Sequence, residues 1–223
     1  MGTTGHFVPP TLIFARKNFK NELLDGAPLG TLGLVQENGW MTGPLFLKWL
    51  QHFSKYVKPS AEDKVLLIVD DHASHKNLKV LEYAKSHRII LVSLPSHCTR
   101  THRLQPLDVS FFGPLKIFYD QEISKWLREH PGRVVTQYQI SSLLAVAYGE
   151  AATVKSATNG FEKCGLFPVN PDIFEEHEFA PSDTTNRPNN SVARDEDGLS
   201  QSQRSTENPE DPNSLTPERV PVI

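Results

Sequence analysis

The chain has few cysteines and no long apolar run, and each shortage argues against a class of protein. Its 223 residues include two cysteines, Cys98 and Cys164, so we expect reduced thiols in an intracellular protein, not a disulfide framework. No apolar stretch approaches the roughly 20 residues that a membrane-spanning helix needs. The N-terminus lacks the basic and apolar regions of a secretory signal, so none is expected. With 38% hydrophobic residues, the chain can form one globular domain.

The net charge of −3 conceals two regions of opposite sign. Residues 178–223 carry nine acids and four arginines, whereas residues 1–177 carry 17 acids, 19 lysines and arginines, and all nine histidines. The acidic segment is rich in proline and serine and has little apolar surface to bury, so we predict that it is disordered. Residues 1–177 are the predicted folded domain, and their slight positive charge does not exclude nucleic acid as a partner.

Apolar runs separated by turn signals predict an α/β domain in residues 1–177. We expect a helix after the candidate N-cap Thr42. The other expected elements are strands at residues 11–15, 64–69 and 89–92 and helices at 77–86, 109–130 and 137–156. Residues 21–38 are predicted to be irregular, 96–107 to form a polar loop and 159–161 to form a turn. The order strand, helix, strand between residues 64 and 92 predicts a parallel pair.

Asp70 ends the apolar run that begins at Val65, which places a carboxylate at the C-terminal end of a predicted buried strand. Ligands of α/β folds bind at such strand ends. The alternative is an ordinary turn or N-cap acid. Strand alternation puts Asp70 on the face of Ile68 and Asp71 on the other face, so we assign Asp71 to a turn or cap.

Asp108 lies just before the helix that is predicted to begin at Val109. It is either the N-cap of that helix or a metal ligand, and one residue can serve in both roles. Two carboxylates that are brought together can hold divalent metal ions for phosphodiester chemistry. Lys116, two turns further on, lies either near this site or on the surface, and the surface is the expected position.

His72 and His75 follow Asp70 closely and have two interpretations. They form a hydrogen-bond network or a phosphate contact beside a metal, or they stabilise the turn between strand and helix. A zinc site needs four ligands, and His97, Cys98 and His102 are the available partners. Their spacing matches no common zinc pattern.

Two segments together resemble a known family. They are residues 66–75 (LLIVDDHASH), and residues 94–98 (LPSHC) followed by 104–109 (LQPLDV). They resemble the segments around the second and third acids of DDE-superfamily transposases of the pogo, Tigger and Jerky group. Residues 39–41 (GWM) fit the same pattern, and the resemblance covers about residues 5–174.

This resemblance implies an RNase H-like fold, in which helices flank a mixed sheet that presents three carboxylates to two divalent metal ions, Mg²⁺ or Mn²⁺. It makes Asp70 and Asp108 the second and third catalytic, metal-binding acids. Four residues become supporting or nucleic-acid contacts: His72, His75, Gln105 and Lys116. It also implies DNA as a partner, a nuclear location and no membrane association, and it leaves a homodimer open.

The chain departs from the family pattern at its start. The first acid of the family lies on an opening strand, upstream of the segment that resembles residues 5–14, so we expect an N-terminally truncated domain without its first strand. Glu22, Asp25 and Glu37 do not lie on a predicted first strand. We therefore expect the chain alone to be inactive. The alternatives are a non-catalytic relic that binds nucleic acid or protein, and an unrelated α/β binding domain.

Overall fold

The computed structural model describes residues 1–94 and 101–174. The predicted tail at residues 178–223 and part of the predicted loop at 96–107 lie outside them. The described strands are β1 (Thr11–Ala15), β2 (Leu32–Gln36), β3 (Val65–Val69) and β4 (Ile89–Ser93). The described helices are α1 (Gly43–Val57), α2 (Leu78–Ser86), α3 (Thr101–Leu104), α4 (Pro106–Ser110), α5 (Phe112–Glu129), α6 (Gln137–Ala151) and α7 (Val154–Lys163). The mixed α/β class is as predicted.

The strands form two parallel pairs, β1 with β2 and β3 with β4. Thr11 is paired with Leu32 in the first, and Val65 with Ile89 in the second. The parallel β3–β4 pair with α2 between its strands confirms the strand–helix–strand prediction. A single RNase H-like mixed sheet is not seen in the described residues and stays a prediction.

The prediction that residues 21–38 are irregular is wrong, because they contain β2 and a 3-10 turn at Asn21–Leu24. Only Leu34 of β2 is buried, so the strand lacks a clear apolar alternation. Gly33 is paired with Leu12 of β1, and the absence of a side chain there leaves room for the Phe19 ring, which would lie 2.5 Å from a Cβ. Long-range pairing with β1, and not local sequence preference, forms this strand.

Three of the predicted helix boundaries are also wrong. The predicted polar loop contains α3 and the start of α4, and the helix predicted at 109–130 is divided into α4 and α5 at Phe111. The helix predicted at 137–156 ends at Ala151, and α7 begins after Thr153, whose hydroxyl accepts the backbone N–H of Ser156 (3.0 Å). Thr42 is the N-cap of α1 as predicted, although its side chain makes no capping bond.

The predicted turn at residues 159–161 is wrong as well, because these residues lie inside α7. Gly160 has no side chain, which leaves room for the neighbouring helix α4. A Cβ at this position would lie 2.5 Å from Ser110 Oγ and 2.7 Å from the carbonyl oxygen of Pro106. The glycine therefore lets α7 pack directly against α4, where the Ser110 hydroxyl donates to the carbonyl of Ser156 (2.6 Å).

Two large clusters of buried side chains lie in different parts of the fold. The first, which we call the β1 core, joins β1 to α5 and α6. Its buried members are Leu12, Phe14, Leu23, Phe111, Leu115, Tyr119, Leu143, Leu144, Ala147 and Ala151. The second, the β3 core, joins β3 and β4 to α1 and α2. Its buried members are Phe46, Leu50, Val80, Ala84 and Ile89.

Candidate functional site

Asp70 directly follows β3, so the apolar strand fixes its backbone while its side chain stays 48% exposed. The backbone N–H of His72 donates to Asp70 Oδ1 (3.1 Å), and His75 Nδ1 lies 3.0 Å from the same oxygen. Among the described residues, all contacts of this carboxylate fall on Oδ1. No described hydrogen bond or ion pair of Asp70 uses Oδ2.

His75 belongs to the 3-10 turn Ala73–Lys76 that follows β3. Its Nδ1 also lies 3.0 Å from the carbonyl oxygen of Asp70, and its ring centroid lies 4.1 Å from that of Phe46 on α1. The side chain is 15% exposed. Helix α1 therefore holds the imidazole against Asp70, a contact across separate elements that no local sequence pattern reveals.

His72 is the N-cap of the same 3-10 turn. Its Nδ1 lies 2.8 Å from the hydroxyl of Ser74, and its side chain accepts the backbone N–H of Ser74 (3.3 Å). Ser74 is buried. These contacts of the His72 side chain lie within the turn, as the turn-stabilising alternative requires.

Asp71 faces a different set of neighbours from Asp70. The ammonium of Lys76 lies 2.6 Å from Asp71 Oδ1, and the hydroxyl of Ser93 donates to the same oxygen (3.2 Å). Asp71 thereby ties the end of β4 to the turn after β3. This arrangement supports the assignment of Asp71 to a turn.

Asp108 lies in the first turn of α4, and the N-cap of that helix is Gln105. The N-cap interpretation of Asp108 is therefore wrong, because α4 begins three residues earlier than predicted. Burial, and then the charge of Asp108, raise the pKa of the Cys164 thiol to about 11. Asp108 thus lies on the side of α4 that faces the end of α7, a proximity that sequence analysis missed.

The two remaining predicted residues lie on either side of Asp108 along the chain. Gln105 is half-buried, and its side chain makes no capping bond to α4. Lys116 is exposed on α5, in agreement with the expected surface position.

The donor set is chemically suited to a hard divalent cation. Carboxylate oxygens are the ligands that Mg²⁺ and Mn²⁺ prefer, and Mg²⁺ often takes one or two carboxylates and completes its shell with water and phosphate. Asp70 fits this role through Oδ2. The described contacts of the Asp70 carboxylate come from the turn after β3, whereas Asp108 lies near Cys164, the C-cap of α7. No group of three or more His, Cys, Asp or Glu side chains within residues 1–94 and 101–174 is arranged to hold a metal ion.

Comparison with known families agrees with this picture. A family model described as DDE superfamily endonuclease matches residues 1–155, which is more than half of the chain. The chain belongs to this family, and the resemblance to the DDE superfamily is confirmed. Members of the family typically depend on a divalent metal, and a nuclease-like domain derived from a transposase is the function that the family supports.

One curated relative carries the name of a transporter and not of an endonuclease. The chain is 31% identical over 175 residues to a protein of Cochliobolus lunatus called MFS-type transporter clz9. The alignment covers 78% of this chain and 19% of that protein, so the chain spans about a fifth of its length. None of the helices in the described part of the chain is both long and apolar enough to span a bilayer. No solved structure matches the chain.

Proposed function

We propose that this chain is a transposase-derived, DDE endonuclease-like domain of the pogo, Tigger and Jerky group, and that it binds DNA in the nucleus. In this proposal residues 1–177 form an RNase H-like domain, and residues 178–223 form a separate tail. Membership of the DDE endonuclease family supports the class. The observation that carries the proposal is the half-exposed carboxylate of Asp70 at the C-terminal end of β3, whose Oδ1 is held by contacts with His72 and His75.

In this function, Asp70 and Asp108 are the catalytic acids that would hold Mg²⁺ or Mn²⁺. A bound metal pair supplies an activated oxygen nucleophile and stabilises the leaving oxygen at the phosphate. His72, His75, Gln105 and Lys116 are supporting residues or nucleic-acid contacts in this function. The first acid of the family has no assigned counterpart, so we propose that cleavage needs a carboxylate that these residues do not supply.

A second candidate function is a non-catalytic binding module with the same fold. Leu66, Ile90 and Val92 lie on the face of the β3–β4 pair opposite the β3 core, and they are 59%, 49% and 41% exposed. Strands of parallel sheets are normally covered on both faces. The exposed apolar face therefore favours a protein partner, with a second copy of the chain as one option.

Two assays on the full chain distinguish these functions. Fluorescence anisotropy with duplex DNA at several salt concentrations measures binding, which we expect to weaken as salt rises because phosphate contacts release counterions. Nicking of supercoiled plasmid in Mn²⁺ measures cleavage. Variants Asp70→Asn and Asp108→Asn are compared with Asp63→Asn, an exposed acid before β3.

Each outcome has one meaning. DNA binding with nicking that only Asp70→Asn and Asp108→Asn abolish establishes the endonuclease. DNA binding without nicking by any form is the result expected if cleavage needs a further carboxylate. Absence of salt-dependent DNA binding contradicts the proposed function.

A further inference from the structure

The contacts of His75 define the hydrogen position on its ring. Nδ1 lies 3.0 Å from two oxygens of one residue, the carbonyl oxygen and Oδ1 of Asp70. Both oxygens are hydrogen-bond acceptors, so Nδ1 must carry the hydrogen and share it between them. Nδ1 thus links the backbone of Asp70 to its carboxylate.

The ring is also fixed from the side of α1. Phe46 is 3% exposed and packs against both His75 and Trp49, with ring centroids 4.1 and 5.1 Å away. At the start of α1, a Cβ on Gly43 would come within 2.8 Å of the Asn77 side chain. The glycine therefore lets α1 approach the segment that carries His75 closely.

We propose that His75 is a positioning residue for Asp70. Phe46 holds the imidazole in place, and its Nδ1–H donates a hydrogen bond to Oδ1 of Asp70. Oδ2 is then the one oxygen of this carboxylate that binds the metal. This inference rests on the proposed function, in which Asp70 is a metal ligand. It adds that α1, through Phe46 and His75, determines which oxygen of the carboxylate binds.

Three substitutions distinguish a positioning role of the His75 side chain from a packing role. His75→Phe keeps an aromatic ring against Phe46 and removes the donor. His75→Asn removes the ring but keeps an N–H donor at nearly the Nδ1 position. His130→Phe is the matched control. His130 also packs against an aromatic ring, that of Trp126 (4.3 Å between centroids), and also bonds through Nδ1 to a backbone carbonyl, but it has no carboxylate partner in the described contacts.

The first readout is Mn²⁺ affinity of the full chain, measured by electron paramagnetic resonance. Loss of a group that orients a metal ligand typically costs 10–100-fold in affinity, so we expect His75→Phe to bind Mn²⁺ about 10-fold more weakly. His75→Asn should restore most of the affinity, and His130→Phe should leave it unchanged. Equal affinity of His75→Phe and the unmodified chain, or equal losses in His75→Phe and His75→Asn, would overturn the proposal.

The second readout needs no metal. Long-range ¹H–¹⁵N spectra of the imidazoles should show His75 in the Nδ1–H form, and a neutral Nε2–H form contradicts the inference. If the unmodified chain binds no Mn²⁺, the metal-dependent part of the proposed function fails, and the ring form alone then decides whether His75 holds Asp70. The two failures are therefore distinguishable.

Discussion

The β1 core and the β3 core differ in how completely their strands are covered. In β1, four of five residues are buried, and Leu144 of α6 beside it is 1% exposed. In β3, no residue is buried, and Leu66 is 59% exposed. The candidate site is attached to the less covered strand. The polar groups of the candidate site thus lie beside an open apolar face, whereas β1 lies inside a packed core.

The sequences of the two strands do not reveal this difference. Both β1 and β3 are short, nearly continuous apolar runs, the pattern of strands that are buried on both faces. The difference arises from what packs on them, since α1 and α2 cover one face of the β3–β4 pair and nothing in the described residues covers Leu66 on the other. Burial on the second face is a property of tertiary structure.

Truncation of one leucine in each region tests the difference in coverage between β1 and β3, and we expect it to give the largest effect on stability. Leu144→Ala should lower the free energy of unfolding by about 2–5 kcal/mol, because it leaves a cavity in the β1 core. Leu66→Ala should change it by less than about 0.5 kcal/mol, as is usual for exposed positions. Urea denaturation of the full chain measures both. Similar losses for the two variants would show that the exposed face of β3 is covered in solution.

Prediction from the sequence succeeded where a pattern is local and strong. The apolar run that ends at Asp70, the helix after Asn77 and the next apolar run led to a correct parallel pair. Asn77 is itself a sequence-readable cap, since its side chain accepts the N–H of Lys79 (3.0 Å). The family resemblance rested on the same segment and on that around Asp108.

Prediction failed where contacts between distant segments decide the structure. Gly33 lies in a segment predicted to be irregular and Gly160 in a predicted turn, yet each lies inside a regular element and makes room for a neighbour. The packing of Phe46 on His75 joins residues on separate elements, so no spacing rule reveals it. The position of the Asp108 carboxylate depends on α4 and α7 meeting at Gly160.

The contact between α4 and α7 at Gly160 can be tested through a smaller change in the free energy of unfolding. Gly160→Ala should lower the free energy of unfolding by about 1–3 kcal/mol, because its Cβ would collide with the Pro106 carbonyl and force α4 and α7 apart. Gly149→Ala in α6 is the control, since a Cβ there meets nothing within 4 Å. It should raise stability by about 0.5–1 kcal/mol through helix propensity alone. A stabilising Gly160→Ala would mean that the two helices are not in close contact.

The smallest expected effect concerns two tyrosines packed in the β1 core. The hydroxyl of Tyr119 is buried and has no hydrogen-bond partner among the described residues, whereas that of Tyr148 donates to the carbonyl of Val8 (3.2 Å). Tyr119→Phe removes a desolvated, unpaired group and should raise the free energy of unfolding by about 1 kcal/mol at pH 7. Tyr148→Phe breaks a bond and should lower it by about the same amount.

The same pair gives a pH test of burial in this core. Burial, and for Tyr119 the charge of Asp120 as well, raise the pKa of both phenols to about 12. Since the folded state favours the neutral phenols, their contribution is complete below pH 10 and is lost as the pH rises towards 12. Either Phe variant should therefore lose less stability than the unmodified chain between pH 9 and 11 in urea titrations. Parallel losses in all three proteins would show that the β1 core admits water, which would remove its contrast with the β3 core.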